Sequence, residues 1–132
     1  MMKISSYRDL LVWQKSMDWT VKIYKITSSF RNEELYGLTS QLRKSSSAIP
    51  SNIAEGFGRK TTKDYLRFLN IALASSFEAL TQIELSFRIG YIAKNIFDEL
   101  FMEGEEIGKM LNGLISKLES KISNSQSLSP NP

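Results

Sequence analysis

The chain contains no cysteine and no histidine. Without cysteine there are no disulfides, no thiolate nucleophile and no sulfur-ligated metal, and a reducing compartment suits the composition. Without histidine the imidazole-dependent chemistries also fall away, including Ser/His/Asp triads and most zinc and di-iron sites. A non-enzymatic protein without a metal or cofactor is therefore expected. Long apolar runs are missing as well: nothing approaches 18 consecutive apolar residues, and MMKISSYRDLLVWQK lacks a basic leader followed by an apolar block. This pattern predicts a soluble, cytoplasmic protein with no membrane association. With 132 residues, 42% of them hydrophobic, the chain is long enough for one domain around a single core.

Charge is plentiful but unevenly spread. The net charge is +3, yet residues 1–67 hold 12 basic and 6 acidic side chains while residues 68–132 hold 5 and 8. Between Ser40 and Arg67 six cations (Arg43, Lys44, Arg59, Lys60, Lys63, Arg67) face two acids, Glu55 and Asp64. Such asymmetry suits an anionic partner or complementary packing of the two halves.

Apolar spacing predicts four helices. In helix one, from Asp9 to about Thr27, Leu10, Trp13, Met17, Val21 and Tyr24 form one stripe, with Ser6 or Asp9 as N-cap. A second stripe, Val12, Trp19, Ile23 and Ile26, falls on nearly the opposite side. Helix two, Glu33 to about Glu55, carries Leu35, Leu38, Leu42, Ile49 and Ile53, with Ser45 and Ser46 on the same stripe. Pro50 should bend it unless a neighbour compensates for the missing donor, and Gly56 and Gly58 are expected to end it in left-handed conformations.

Helix three starts at a Thr61 or Thr62 cap and runs to about Ile89. Its core stripe is Tyr65, Phe68, Leu69, Ala72, Ala79, Ile83 and Phe87, flanked by Leu66, Leu73, Phe77 and Leu80. Asn95 with Asp98 reads as the cap of helix four, Ile96 to about Ser120, on which Gly104 and Gly108 permit tight packing and Glu105 pairs with Lys109. Residues 121–132 lack periodicity and are expected to form a disordered tail beyond a bundle spanning 1–120.

Four helices with short turns predict an all-α, antiparallel up-down-up-down four-helix bundle. Helices one and three are diagonal in that arrangement, so one stripe of each should point outward and seek another copy. On this reading Trp13 is core, and Val12, Trp19, Ile23, Ile26, Leu66, Leu73 and Phe77 form the interface of a homo-oligomer.

The segments SYRDLLVWQKSMD, ELYGLTSQLRKSSSAIPSNIAEGFGR and KDYLRFLNIALASSFEALTQIELS resemble the bacterial four-helix-bundle family encoded in 23S rRNA intervening sequences. The likeness extends from about Tyr7 to Ser120. It implies a homopentameric barrel, similar in architecture to the accessory protein of diversity-generating retroelements, which binds nucleic acid and a reverse transcriptase. It also implies a looser connection after helix one, because the family's usual proline is replaced near Phe30 and Arg31.

Two functional readings follow. In the first, Arg43, Lys44, Arg59, Lys60, Lys63 and Arg67 contact RNA or DNA phosphates, and repetition around an oligomer adds weak contacts by multivalency. In the second, the oligomer is a protein–protein adaptor with no nucleic-acid role. The GFGR segment lacks the third glycine and the preceding strand of a nucleotide loop. The serines of SSSAIPS have no histidine or Ser-x-x-Lys partner to activate them.

Overall fold

The computed structural model describes residues 3–128. A short 3-10 turn, Tyr7–Asp9, leads into α1 (Leu11–Thr27). A second 3-10 turn, Asn32–Glu34, precedes α2 (Leu38–Phe57), which is followed by α3 (Thr62–Arg88) and α4 (Lys94–Leu128). There is no strand among the described residues.

Cross-helix pairs set the directions. Trp19 and Lys22 on α1 meet Leu100 and Glu99 on α4, whereas Lys15 meets Glu106. Arg43 on α2 reaches Thr27 on α1, while Ser46, a turn further along, faces Thr20. Ser45 bonds Gln82, and Gly56 lies against Tyr65 and Phe68 on α3. Gly104 abuts Leu80, and Gly108 approaches Ser76 and Leu73. Every neighbouring pair is antiparallel, and α1/α3 and α2/α4 are the diagonals.

The structure reverses the assignment of faces on α1. Val12, Trp19 and Ile23 lie in the monomer's own core, with Trp19 only 2% exposed, and Ile26 packs against that core. They are not free to form a subunit interface. Leu66 and Leu73 likewise pack against the core, whereas Phe77 stays outside. The outward stripe of α1 is instead Met17, Val21 and Tyr24, with Trp13 half-buried at its edge.

The physical reason lies in the hydroxyl residues. Ser16, Thr20 and Thr27 return their hydroxyls to carbonyls of the preceding turn, at Trp13, Ser16 and Ile23, and so behave as small buried groups. Their stripe is the one that admits close helix packing. The same device buries Ser45, Ser46, Ser76 and Ser86 on α2 and α3.

Pro50 sits inside α2 without interrupting it. Its missing N–H leaves the Ser46 carbonyl without its usual partner, and the Thr20 hydroxyl of α1 lies 3.1 Å from that oxygen and 2.7 Å from the Ser16 carbonyl, so that one proton serves both. The compensation comes from the neighbouring helix.

Other boundaries shift for local reasons. Gly37 starts α2 later than the spacing suggests, so Leu35 is exposed rather than core. Gly56 is helical and buried: a Cβ there would stand 2.8 Å from Phe68 Cβ, so this glycine serves close approach. Gly58 has φ −80°, and the left-handed residue is Gly90, φ 86°. Beside it the Tyr91 N–H bonds the Ser86 carbonyl at 2.8 Å, closing α3 in a Schellman arrangement.

Ser6 caps the first 3-10 turn in a reciprocal box with Asp9, and Thr61 caps α3. Asn95 lies inside α4 and is not its cap. Glu105 and Lys109 form no ion pair among the described residues. The α1–α2 connection, lacking proline, is anchored by Phe30 packed edge-on against Tyr91 and by the Tyr91 hydroxyl donating to Glu34 at 2.8 Å. The helix α4 continues past Ser120 to Leu128, so the first part of the expected tail is helical, and residues 129–132 lie outside the described residues.

Candidate nucleic-acid interface

The turn between α2 and α3 is built by tight packing. Because Gly56 has no side chain, α2 ends directly against Tyr65 and Phe68, and the chain reverses within Gly58–Thr61. Arg59 and Arg67 then converge on one ring: each guanidinium carbon lies 4.5 Å from the centre of Phe68. Cation–π contact with a largely buried phenyl fixes both arginines at the surface without removing their N–H donors from water. Arg59 also meets Glu55 at 3.0 Å, and Arg67 meets Asp64 at 3.7 Å. Lys60 and Lys63 are exposed and have no ion-pair partner among the described residues. The N-terminal turn of a 27-residue helix opens beside them, adding its partial positive charge.

The structure divides the six predicted cations. Arg59, Lys60, Lys63 and Arg67 share this turn, but Arg43 and Lys44 lie near the start of α2, about 20 Å away at the helical rise per residue. Arg43 is half-buried and committed to structure. Its Nε donates to Thr27 Oγ1 at 2.9 Å, an Nη to the Tyr24 carbonyl at 3.1 Å, and its plane covers the Tyr24 ring at 4.8 Å. It closes the C-terminal turn of α1. Lys44 is exposed and without an ion-pair partner among the described residues.

The basic end also collects residues that the sequence reading missed. Tyr7 and Ala54 line one groove, which puts the N-terminal 3-10 turn, and with it Arg8, beside the last turns of α2. The antiparallel pairing of α4 with α3 brings Lys117 and Lys121 level with the first turns of α3. These cations come from three separated segments, and the signal would have been the predicted bundle itself, read for which helix ends share a pole. The opposite pole mixes both signs: Glu33, Glu84, Asp98, Glu99 and Glu103 pair there with Arg31, Arg88, Lys94 and Lys22.

Phe57 is half-buried and packs edge-on against Tyr65, 6.1 Å between centres. Burial raises the Tyr65 hydroxyl above its ordinary pKa. Near the basic end the Asp9 carboxyl is held below its ordinary value, first by the Ser5 and Ser6 backbone N–H groups. On the α1–α4 seam, the hydrogen bonds that Lys22 donates to Glu99 and then to Glu103 raise its pKa above the ordinary value. Glu55, Glu78 and Glu84 are spread along separate turns, two of them bonded to arginines, and do not form a shared carboxylate site.

Among the described residues no helix is long and apolar enough to cross a membrane. No curated protein matches the chain. A crystal structure from Bacteroides thetaiotaomicron, of a protein of unknown function from the S23 ribosomal protein family, is similar over 80% of this chain and 96% of that one, with TM-score 0.75 and 28% identity. The model of the 23S rRNA-intervening sequence proteins matches residues 8–113, a span that takes in α1, α2, α3 and the first part of α4, with the Gly56 crossing and the basic turn. This chain belongs to the 23S rRNA-intervening sequence protein family.

Proposed function

We propose that the protein is a non-enzymatic, cytoplasmic, homo-oligomeric binder of RNA or DNA backbone, acting through the basic pole. The observation that carries this reading is the convergence of Arg59 and Arg67 on Phe68 beside Lys60 and Lys63, which have no ion-pair partner among the described residues. Two positioned guanidinium groups, two exposed ammonium groups and a helix N-terminus within one turn suit phosphate oxygens, and carry no base-reading element. Association of copies would repeat the pole and multiply weak contacts.

The test is retention of RNA and of DNA across a salt series. Each phosphate contact contributes roughly 0.7–0.9 to the slope of log K against log salt. The double substitution Lys60→Glu/Lys63→Glu should therefore flatten the slope by about 1.5 per copy, with the helical signal unchanged. Absence of binding at low salt by a folded protein would favour the second reading, a protein–protein adaptor, which the exposed apolar groove between α1 and α2 supports.

A further inference from the structure

Aromatic side chains gather at the basic end, yet none of them presents an open face. Phe68 is buried, with the guanidinium carbons of Arg59 and Arg67 each 4.5 Å from its centre. Trp13 is half-buried, met edge-on by Tyr7 at 5.1 Å and covered by Arg8 at 5.5 Å. Phe57 and Tyr65, also half-buried, pack on each other. The exposed aromatic side chains among the described residues lie elsewhere: Tyr24 near the end of α1, Tyr36 in the α1–α2 connection and Phe77 in the middle of α3.

The rings at this end therefore hold arginines where a single-strand site would hold bases. Stacking on open aromatic faces gives such sites about 1–3 kcal/mol per base, and here those faces are taken by guanidinium groups or by other rings. What remains is a set of positioned cations. A guanidinium held against a ring loses freedom of movement but keeps outward N–H donors. Arg59 and Arg67 each have one carboxylate neighbour, Glu55 and Asp64, and Arg8 is exposed without an ion-pair partner among the described residues.

We infer that the nucleic acid taken by the basic pole is double-stranded, and that Arg8, Arg59 and Arg67 are the fixed points that hold its backbone. Side chains ordered before binding favour a partner that is ordered as well. A duplex keeps its phosphates at set spacings, whereas a single strand must be ordered to match them and finds no stacking surface here to offset that cost. This inference rests on the nucleic-acid reading of the same pole. Duplex RNA and duplex DNA share the phosphate chemistry involved, and the test separates them.

Fluorescence anisotropy titrations of the full chain compare an RNA duplex, a DNA duplex and, for each, an unstructured single strand with the same number of phosphates. At least one duplex should bind about tenfold or more tightly than its single strand, and the duplex that shows this ratio identifies the source. Arg59→Lys/Arg67→Lys keeps both charges at exposed positions but removes the planar groups. It should reduce the ratio to about threefold or less and leave single-strand affinity within about twofold. A preference that came from charge density alone would survive this change. Phe68→Leu, checked for fold by circular dichroism, leaves both arginines without a ring and should act in the same direction. Single strands bound as tightly as both duplexes, or a ratio untouched by the lysine variant, would overturn the inference while leaving nucleic-acid binding in place. No binding of any probe at low salt by the folded protein would overturn both.

Discussion

Replacing Gly56 by alanine tests the packing that positions the basic turn. In an unobstructed helix interior, alanine is favoured over glycine by about 1 kcal/mol because it restricts the unfolded chain. At Gly56 the new Cβ would stand 2.8 Å from Phe68 Cβ, 3.0 Å from Tyr65 Cδ1 and 3.3 Å from the Tyr65 carbonyl. Phe68 Cβ is the root of its side chain, so rotamer change cannot clear it and α2 and α3 must part. Overpacking of this kind costs roughly 1–3 kcal/mol, leaving a net loss of up to about 2 kcal/mol after the propensity gain.

Gly113 is the internal control, because a Cβ there meets nothing within 4 Å in the same kind of helical backbone. Gly113→Ala should gain about 0.5–1 kcal/mol. Guanidinium unfolding, followed by helical circular dichroism, compares the two variants with wild type. Opposite signs are expected. A Gly56→Ala protein as stable as Gly113→Ala would refute the close approach, and with it the account of how Arg59 and Arg67 come to share one phenyl ring.

Two further outcomes follow from the hydrogen bonds. Thr20→Val should cost about 1–3 kcal/mol by leaving the Ser46 carbonyl without a donor, and the cost should shrink in a Pro50→Ala background, where residue 50 regains its N–H. A double-mutant cycle with zero coupling would refute the exchange. Lys22, whose pKa is raised by Glu99 and Glu103, contributes stability that is fully present below its unfolded value near 10.5 and is lost as pH rises through its higher folded value. Lys22→Met should therefore cost up to about 1 kcal/mol near neutral pH, because the pair is partly exposed, and should remove that part of the alkaline destabilisation. Trp19 fluorescence on the same seam reports the change, and identical alkaline profiles for the two proteins would count against the assignment.

Helix content, the antiparallel bundle and the Thr61 cap were legible in the chain because each rests on local spacing. The absence of cysteine and histidine also narrowed the chemistry that the chain can support. The inward face of α1 was not legible, since an apolar count ranks Met17 and Val21 above Ser16 and Thr20. Only a packed neighbour reveals that a hydroxyl turned back onto its own helix is the smaller group to bury. Gly56 was equally ambiguous: an end signal and a crossing point are the same residue in sequence, and the 2.8 Å approach to Phe68 distinguishes them.

The basic stretch shows both sides of this division. Its charge was visible from Arg43 to Arg67, but charges adjacent in sequence need not be adjacent in space. Along α2 the helical rise carries Arg43 away to close α1, whereas antiparallel return brings Arg8, Lys117 and Lys121 to the pole of Arg59 and Lys60. Local periodicity determined that there would be four amphipathic rods. Close contact between those rods decided which faces were hidden and which charges met, because burial and proximity depend on pairs of segments that no local pattern contains.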